Sequence, residues 1–217
     1  MAVMNVNPTR MELTRLKKQL NTALRGHKLL KDKRDELMRQ FLERIRENQT
    51  LREQVEAGLQ EAHGHFVLAS SVMQKEVLDT ALLSPKQEVY LEVSTRNVMS
   101  VDVPVFRTAT RTAVEGDIFS YGFAFTSFEL DDAVQRLNDL LPLMIRLAEC
   151  EKSTQLMAAE IEKTRRRVNA LEHVMIPRLQ ETIRFITMKL EENERSSRTR
   201  LMKVKDMMLE KAHHYHG

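Results

Sequence analysis

The side chains best suited to chemistry in this sequence of 217 residues are a few histidines, one cysteine and one run of arginines. His63 and His65 stand two apart, so on a helix they point to different sides and cannot hold one metal ion together. Both read as solvated surface histidines. His213, His214 and His216 carry donor atoms for a weak metal site, but they fall in a tail, Ala212 to Gly217, that is expected to fray. Arg165-Arg166-Arg167 is the densest basic run; as a helix face it needs no special role, and as a patch it suits an acidic protein surface or nucleic acid. No aromatic side chain stands near it to stack on bases, which argues against nucleic acid. His27, Arg34, Arg44 and Asn48 interrupt an otherwise apolar stripe, and either fix register or meet another subunit. Gly26, Gly58 and Gly64 are isolated within helical pattern and form no phosphate loop. No nucleophile motif and no paired-carboxylate constellation is present, so neither catalytic residues nor a cofactor nor a metal is expected.

Composition bounds the scaffold that must carry these residues. Trp is absent, aromatics make up 5% and charged residues 30%, with only six Gly and five Pro. Globular cores of this size use more aromatic volume and more turn residues. Thirteen Met among Leu, Lys, Arg and Glu suit long helices with a narrow apolar seam. The 34 basic and 31 acidic groups leave a net charge of +3, and their interleaving cancels most of the field at a distance. The lone Cys150 excludes an intrachain disulfide and fits a reducing compartment. The start has no apolar core of signal-peptide length, and no window suits a membrane span. The expected setting is cytoplasmic, without direct membrane insertion.

Three segments follow: a helical arm over 1–84, an insertion over 85–126 and a second arm over 127–217. From Thr9 to Leu83 there is no proline, and a 3,4 spacing runs through Leu13, Leu16, Leu20, Ala23, His27, Leu30, Arg34, Leu37, Phe41, Arg44, Asn48, Leu51 and Val55. That repeat covers about six heptads and predicts a coiled-coil helix, opened by Asn7-Pro8 and continued to Ser84-Pro85. In the insertion, Val89, Leu91 and Val93 alternate with polar residues, as do Met99, Val101, Val103 and Val105. The run Ser94-Thr95-Arg96-Asn97 between them predicts the turn of a β-hairpin. Pro104 confines the second strand to an edge role, and 107–125 is expected to be an ordered loop holding Phe119, Tyr121, Phe123 and Phe125.

The second arm is expected to begin at a capping box of Thr126 and Glu129 and to run to Met208. Its stripe comprises Ile161, Thr164, Val168, Leu171, Met175, Leu179, Ile183, Ile186 and Leu190, resumed at Leu201, Val204 and Met208. Four-residue steps from Leu171 to Ile183 should relax a supercoil locally, and Pro142 and Pro177 should each kink or break the helix. Two arms of this length, roughly 110 Å each at 1.5 Å per residue, cannot bury their seams alone. The expected class is therefore all-α. It is a long antiparallel two-helix coiled coil, with the short hairpin inserted at the end distal to the termini.

Two stretches also carry a resemblance. Asn7-Pro8-Thr9-Arg10 with Leu13 and Leu16-Lys17, then the run Gly26 to Asp35, resembles the amino-terminal signature of the D subunits of the V-type and archaeal A-type rotary ATPases. Glu162 to Glu172, with Ile176-Pro177 and then Leu190 to Arg195, resembles that family's carboxy-terminal helix. The resemblance implies a non-catalytic central rotor stalk, a shaft turning inside a ring of alternating A and B subunits where ATP is hydrolysed or made. It implies pairing with the small F subunit of the stalk and a further subunit that seats the stalk on the membrane rotor ring. The termini would enter the catalytic ring, with the hairpin end toward the F subunit and the membrane. Residues assigned to subunit contact are His27, Lys28, Lys31, Arg34, Arg165, Arg166 and Arg167. The competing reading is a generic coiled-coil adaptor or nucleic-acid-binding protein. An enzyme with a coiled-coil arm lacks any stretch that could be a catalytic domain.

Overall fold

A computed structural model describes residue 4 and residues 6–111, 118–122, 124 and 126–214, with side chains as far as 209. The protein is mostly helical with one small antiparallel sheet. In chain order the elements are α1 (Arg10–Val72), α2 (Lys75–Leu82), β1 (Val89–Val98), β2 (Val101–Thr110), α3 (Phe128–Ala170), a π-helical turn (Leu171–Met175) and α4 (Ile176–His214). The chain divides into two compact units, one of residues 1–34 with 163–217 and the other of residues 35–162.

In the first unit, the start of α1 is capped two residues later than Asn7-Pro8 suggested, at Thr9. The Thr9 hydroxyl accepts the Glu12 backbone N–H at 3.3 Å, which satisfies one of the four orphan donors of a helix start. Leu16, Leu179 and Ile186 form the buried centre, with Leu13, Leu20, Ala23, Ile183 and Leu190 packed around it. Ion pairs fix the direction of the contact. Arg10 meets Glu194, and His27 Nε2 lies 3.3 Å from Glu172 Oε2. Residue numbers rise on α1 while they fall on the partner helix, so within this unit the helices run antiparallel. Thr182 is buried yet satisfied: its hydroxyl donates to the Arg178 carbonyl at 2.7 Å and accepts the Met4 N–H at 3.2 Å.

Pro177 was expected to kink or break the helix; the structure absorbs it in a widened turn. The turn just before it is π-helical, and the Ile176 N–H bonds to the Leu171 carbonyl five residues back. Pro177 supplies no donor of its own, and the wider turn relieves the clash its ring would cause one turn earlier. Helix then continues through His214, so Ala212 to His214 are helical, and the remainder of the tail expected to fray, 215–217, lies outside the described residues. From 191 to 209 every residue of α4 is exposed.

In the second unit, α1 and α3 also pair antiparallel. The Cys150 thiol lies 3.5 Å from the Arg44 carbonyl, Arg146 is 3.2 Å from Glu47, Arg136 meets Glu61, and His65 Nδ1 is 3.0 Å from Glu129 Oε2. Pro142 does not break α3, which is continuous through it. The helical pattern read as unbroken to Leu83 is interrupted at Met73-Gln74, where Gln74 turns extended (φ −70°, ψ 142°). No proline or glycine causes this. The reason is tertiary: after the break, Leu78 and Ala81 bury against Ala69 and Leu130. The capping box does not form either. The Thr126 hydroxyl donates to the Gly122 carbonyl at 3.1 Å, and the Glu129 carboxylate faces His65.

The hairpin exists with a different turn. The polar run 94–97 is part of β1, and the turn is Met99-Ser100, both left-handed (φ 52° and 69°) as a two-residue hairpin requires. Asn97 braces it, donating to Asp102 Oδ1 at 2.7 Å and accepting the Ser100 N–H at 3.1 Å. Pro104 pairs across from Thr95, so it belongs to the set whose backbone nitrogen points away from β1. Phe106 shares that parity, and its N–H donates to Glu149 of α3 at 3.1 Å. Val101 and Val103 are buried with Leu37, Met157 and Ile161, so β2 packs against α1 and α3 within this unit. Val89, Leu91 and Val93 do not face that core; Leu91 and Val93 are exposed. β2 runs through Thr110, which shortens the expected loop. Of its remainder, 112–117, Phe123 and Phe125 lie outside the described residues.

Two glycines show how local space decides tolerance. A Cβ on Gly58 would stand 2.7 Å from Leu140 Cδ1, so α1 and α3 approach closely there. Gly26 has open space where a Cβ would go. Gly58→Leu is therefore expected to destabilise by about 1–3 kcal/mol through overpacking. Gly26→Ala should stabilise by about 0.5–1 kcal/mol through helix propensity. Guanidinium melts of both variants test this; equal effects would contradict the packing.

Candidate subunit-contact surface

The residues singled out for subunit contact all belong to the first unit, on α1 and on the last turns of α3. His27 is half-buried and held by Glu172, which joins the two segments. Lys28 and Lys31 are exposed, as are Arg165, Arg166 and Arg167, whereas Arg34 is half-buried. Arg34 and Arg166 each make an interaction of their own within the chain. The exposed members therefore offer positive charge outward, and His27 serves the helix contact.

The seam residues divide by burial. Leu16, Leu37, Leu51, Ile161, Val168, Leu179 and Ile186 are buried. Leu13, Leu20, Leu30, Phe41 and Leu171 are half-buried. Met175 departs from the pattern at 48% exposed. It ends the π turn, whose wider circumference carries the following stripe onward without bringing Met175 inside. The four-residue steps from Leu171 to Ile183, expected to relax a supercoil locally, begin at that turn.

The same turn opens a groove in the first unit, about 1190 Å³ in volume, lined by Met4, Met11, Ala23, Gly26, Leu171, Met175 and Leu179. Arg10, Arg15 and Lys18 edge it. Methionines adapt to irregular partners, and the basic rim suits an acidic one. Sequence periodicity misses this groove because it reads Met175 and Leu171 as seam and sees Gly26 only as a helix-weakening residue. Beyond it, α4 carries exposed Leu201, Met202, Val204, Met207, Met208 and Leu209.

Perturbed titrations have structural causes. Hydrogen bonds from Arg39 and then Gln40 pull Glu36 down to about 2. Burial first, then the bond to Asp131, pushes Tyr121 upward. Burial also raises the Cys150 thiol, helped by Glu47, which keeps it protonated and unreactive. Glu36 lies on α1, Tyr121 ahead of α3 and Cys150 within α3, so each shift serves its own contact. No helix among the described residues is long and apolar enough to cross a membrane.

Residues 12–206 match the sequence model of the family described as the ATP synthase D subunit. The chain is 63% identical to the V-type ATP synthase D subunit of Acetivibrio thermocellus over 215 residues, covering 99% of this chain and 97% of that one. It is 63% identical to the protein of the same name from Clostridioides difficile over 212 residues, 98% and 95% of the two chains. Its identity to the Clostridium botulinum protein of that name is 58% over 211 residues, 96% and 97%.

Proposed function

This chain belongs to the ATP synthase D-subunit family, a central-stalk component of V/A-type ATPases, and we propose that it is the turning shaft itself. The observation that carries the reading is the family match, which runs nearly end to end at high identity. The shaft is non-catalytic. It transmits rotation between ATP hydrolysis or synthesis in an A/B hexameric ring and ion translocation by the membrane rotor ring. The F subunit and the component seating the stalk on the rotor ring are its other partners, and its place is cytoplasmic, peripheral to the membrane. The same match disfavours a generic adaptor or a nucleic-acid-binding role.

Form suits the task. The two arms, 1–84 and 127–217, make a long antiparallel coiled coil, with the insertion 85–126 leaving it at the end distal to the termini. In support, antiparallel ion pairs occur in each compact unit separately. Two helices locked along a seam resist bending and twisting better than one. An asymmetric shaft inside a threefold ring presents a different face to each site. Each site's nucleotide affinity then changes in turn as the shaft rotates, which is coupling by differential contact.

Reconstitution tests this. Added to purified A and B subunits, the chain should raise ATPase turnover, and a probe fixed to it should rotate; no change in either measurement overturns the proposal. Lys28, Lys31 and the Arg165–Arg167 run are proposed as ring contacts. Reversing the three arginines to glutamate should weaken assembly about tenfold, equivalent to about 1.4 kcal/mol. Because all three are exposed, the melting temperature should hold within roughly 2 °C. Undiminished assembly would leave the run as a solvated face.

A further inference from the structure

We infer that His65, Glu129 and Asp132 form a binding site for a divalent transition-metal ion that ties α1 to the first two turns of α3. One imidazole nitrogen and one oxygen from each carboxylate all lie within 4.8 Å of one another. His65 Nδ1 is 3.0 Å from Glu129 Oε2, so the site needs only a small adjustment to admit an ion between them. All three side chains are half-buried, and His65 and Glu129 keep 28% and 38% of their side-chain exposure. An ion can therefore enter from solvent.

The supports on either side are rigid. Ala62 and Ala69 flank His65 on the buried face of α1, and Leu130 and Ala133 do the same beside the two carboxylates on α3; all four are almost wholly buried. Ligands placed on packed helices hold their geometry better than ligands on loops. Charge supplies the independent pointer to a ligand. With a neutral imidazole the cluster carries two negative charges, and Asp132 has no hydrogen bond or ion pair among the described residues. A dication balances that charge. The competing account is a protonated His65 paired with Glu129, with the α3 amino terminus alone steadying Asp132.

One imidazole and two carboxylate oxygens, with room for water, match Zn²⁺ or its first-row neighbours. They suit Mg²⁺ less well, because it keeps its waters and prefers oxygen. Histidines 213, 214 and 216 would add a second, weaker site in solution, so the test uses the full chain carrying H213A, H214A and H216A. Calorimetric titration with zinc chloride should show one saturable site per chain. His65→Gln and Asp132→Asn should each weaken it at least tenfold, and His63→Gln, on a different side of α1, should leave it unchanged. Zinc should raise the melting temperature of the parent and not that of Asp132→Asn. Co²⁺ in place of zinc should give a visible absorption band that His65→Gln abolishes. No saturable heat, or binding that survives both His65→Gln and Asp132→Asn, reduces the cluster to an ion pair and overturns the site. Should His65→Gln fail to fold by circular dichroism, Asp132→Asn alone decides.

Discussion

Leu37→Asp should lower the melting temperature of the purified chain by roughly 10 °C or more. Leu37 is fully buried at the point where α1, α3 and the hairpin meet, packed with Val101, Val103, Met157 and Ile161. Truncating such a leucine costs about 2–5 kcal/mol. Placing a carboxylate there adds the penalty of an unpaired buried charge, for a total of at least about 4 kcal/mol. At roughly 2–4 °C per kcal/mol for a chain of this size, the shift follows. Met175→Asp is the matched control. Periodicity places both residues on the seam, but Met175 is 48% exposed, so its variant should melt within about 2 °C of the parent. Circular dichroism melts read both. Equal loss in the two variants would contradict the burial difference, and an unaffected Leu37→Asp would contradict the cluster. The half-buried Leu20 and Leu171 should fall between these extremes.

The helices were legible because their stripes, and in the first arm the absence of proline from Thr9 to Leu83, speak for many residues at once. What escaped was decided by single contacts at long range. Nothing in Met73-Gln74 announces a helix end; Leu78 and Ala81 cause it by finding Ala69 and Leu130. The hairpin turn carries neither Gly nor Asn at its two left-handed positions, so the polar run before it is the stronger local signal. Alternation alone also favours Leu91 and Val93 as core, although it cannot say which face is covered. Val101 and Val103 are the covered residues because the helices lie on their side. Pro177 was visible as a perturbation and Leu171-to-Ile183 as a change of period, yet only the backbone joins them as one π turn. Arg165, Arg166 and Arg167 are exposed, as expected both of a solvated helix face and of a contact patch. The groove beside Gly26 and Met175 and the cluster at His65 depend on residues about 64 to 175 positions apart, which no local pattern couples.

The largest functional loss should come from the far part of α4. Leu201, Met202, Met208 and Leu209 are exposed on a helix whose residues from 191 to 209 are all exposed. Solvated helix faces seldom carry so many large apolar side chains, and such a stretch marks a surface that a partner covers. On the proposed shaft reading the A/B ring would be that partner, and the contact would be where rotation is sensed. Replacing the four by Gln keeps good helix formers and removes no internal packing, so the isolated chain should melt within about 2 °C of the parent. Each side chain that leaves water on assembly contributes about 1.5–3 kcal/mol. Losing even one of the four at the interface therefore weakens engagement by tenfold or more. Turnover of the reconstituted A/B assembly should then fall toward the value without this chain. If turnover and rotation persist at parental rates, those residues do not touch the ring, and the torque must pass through the groove and the arginine run instead.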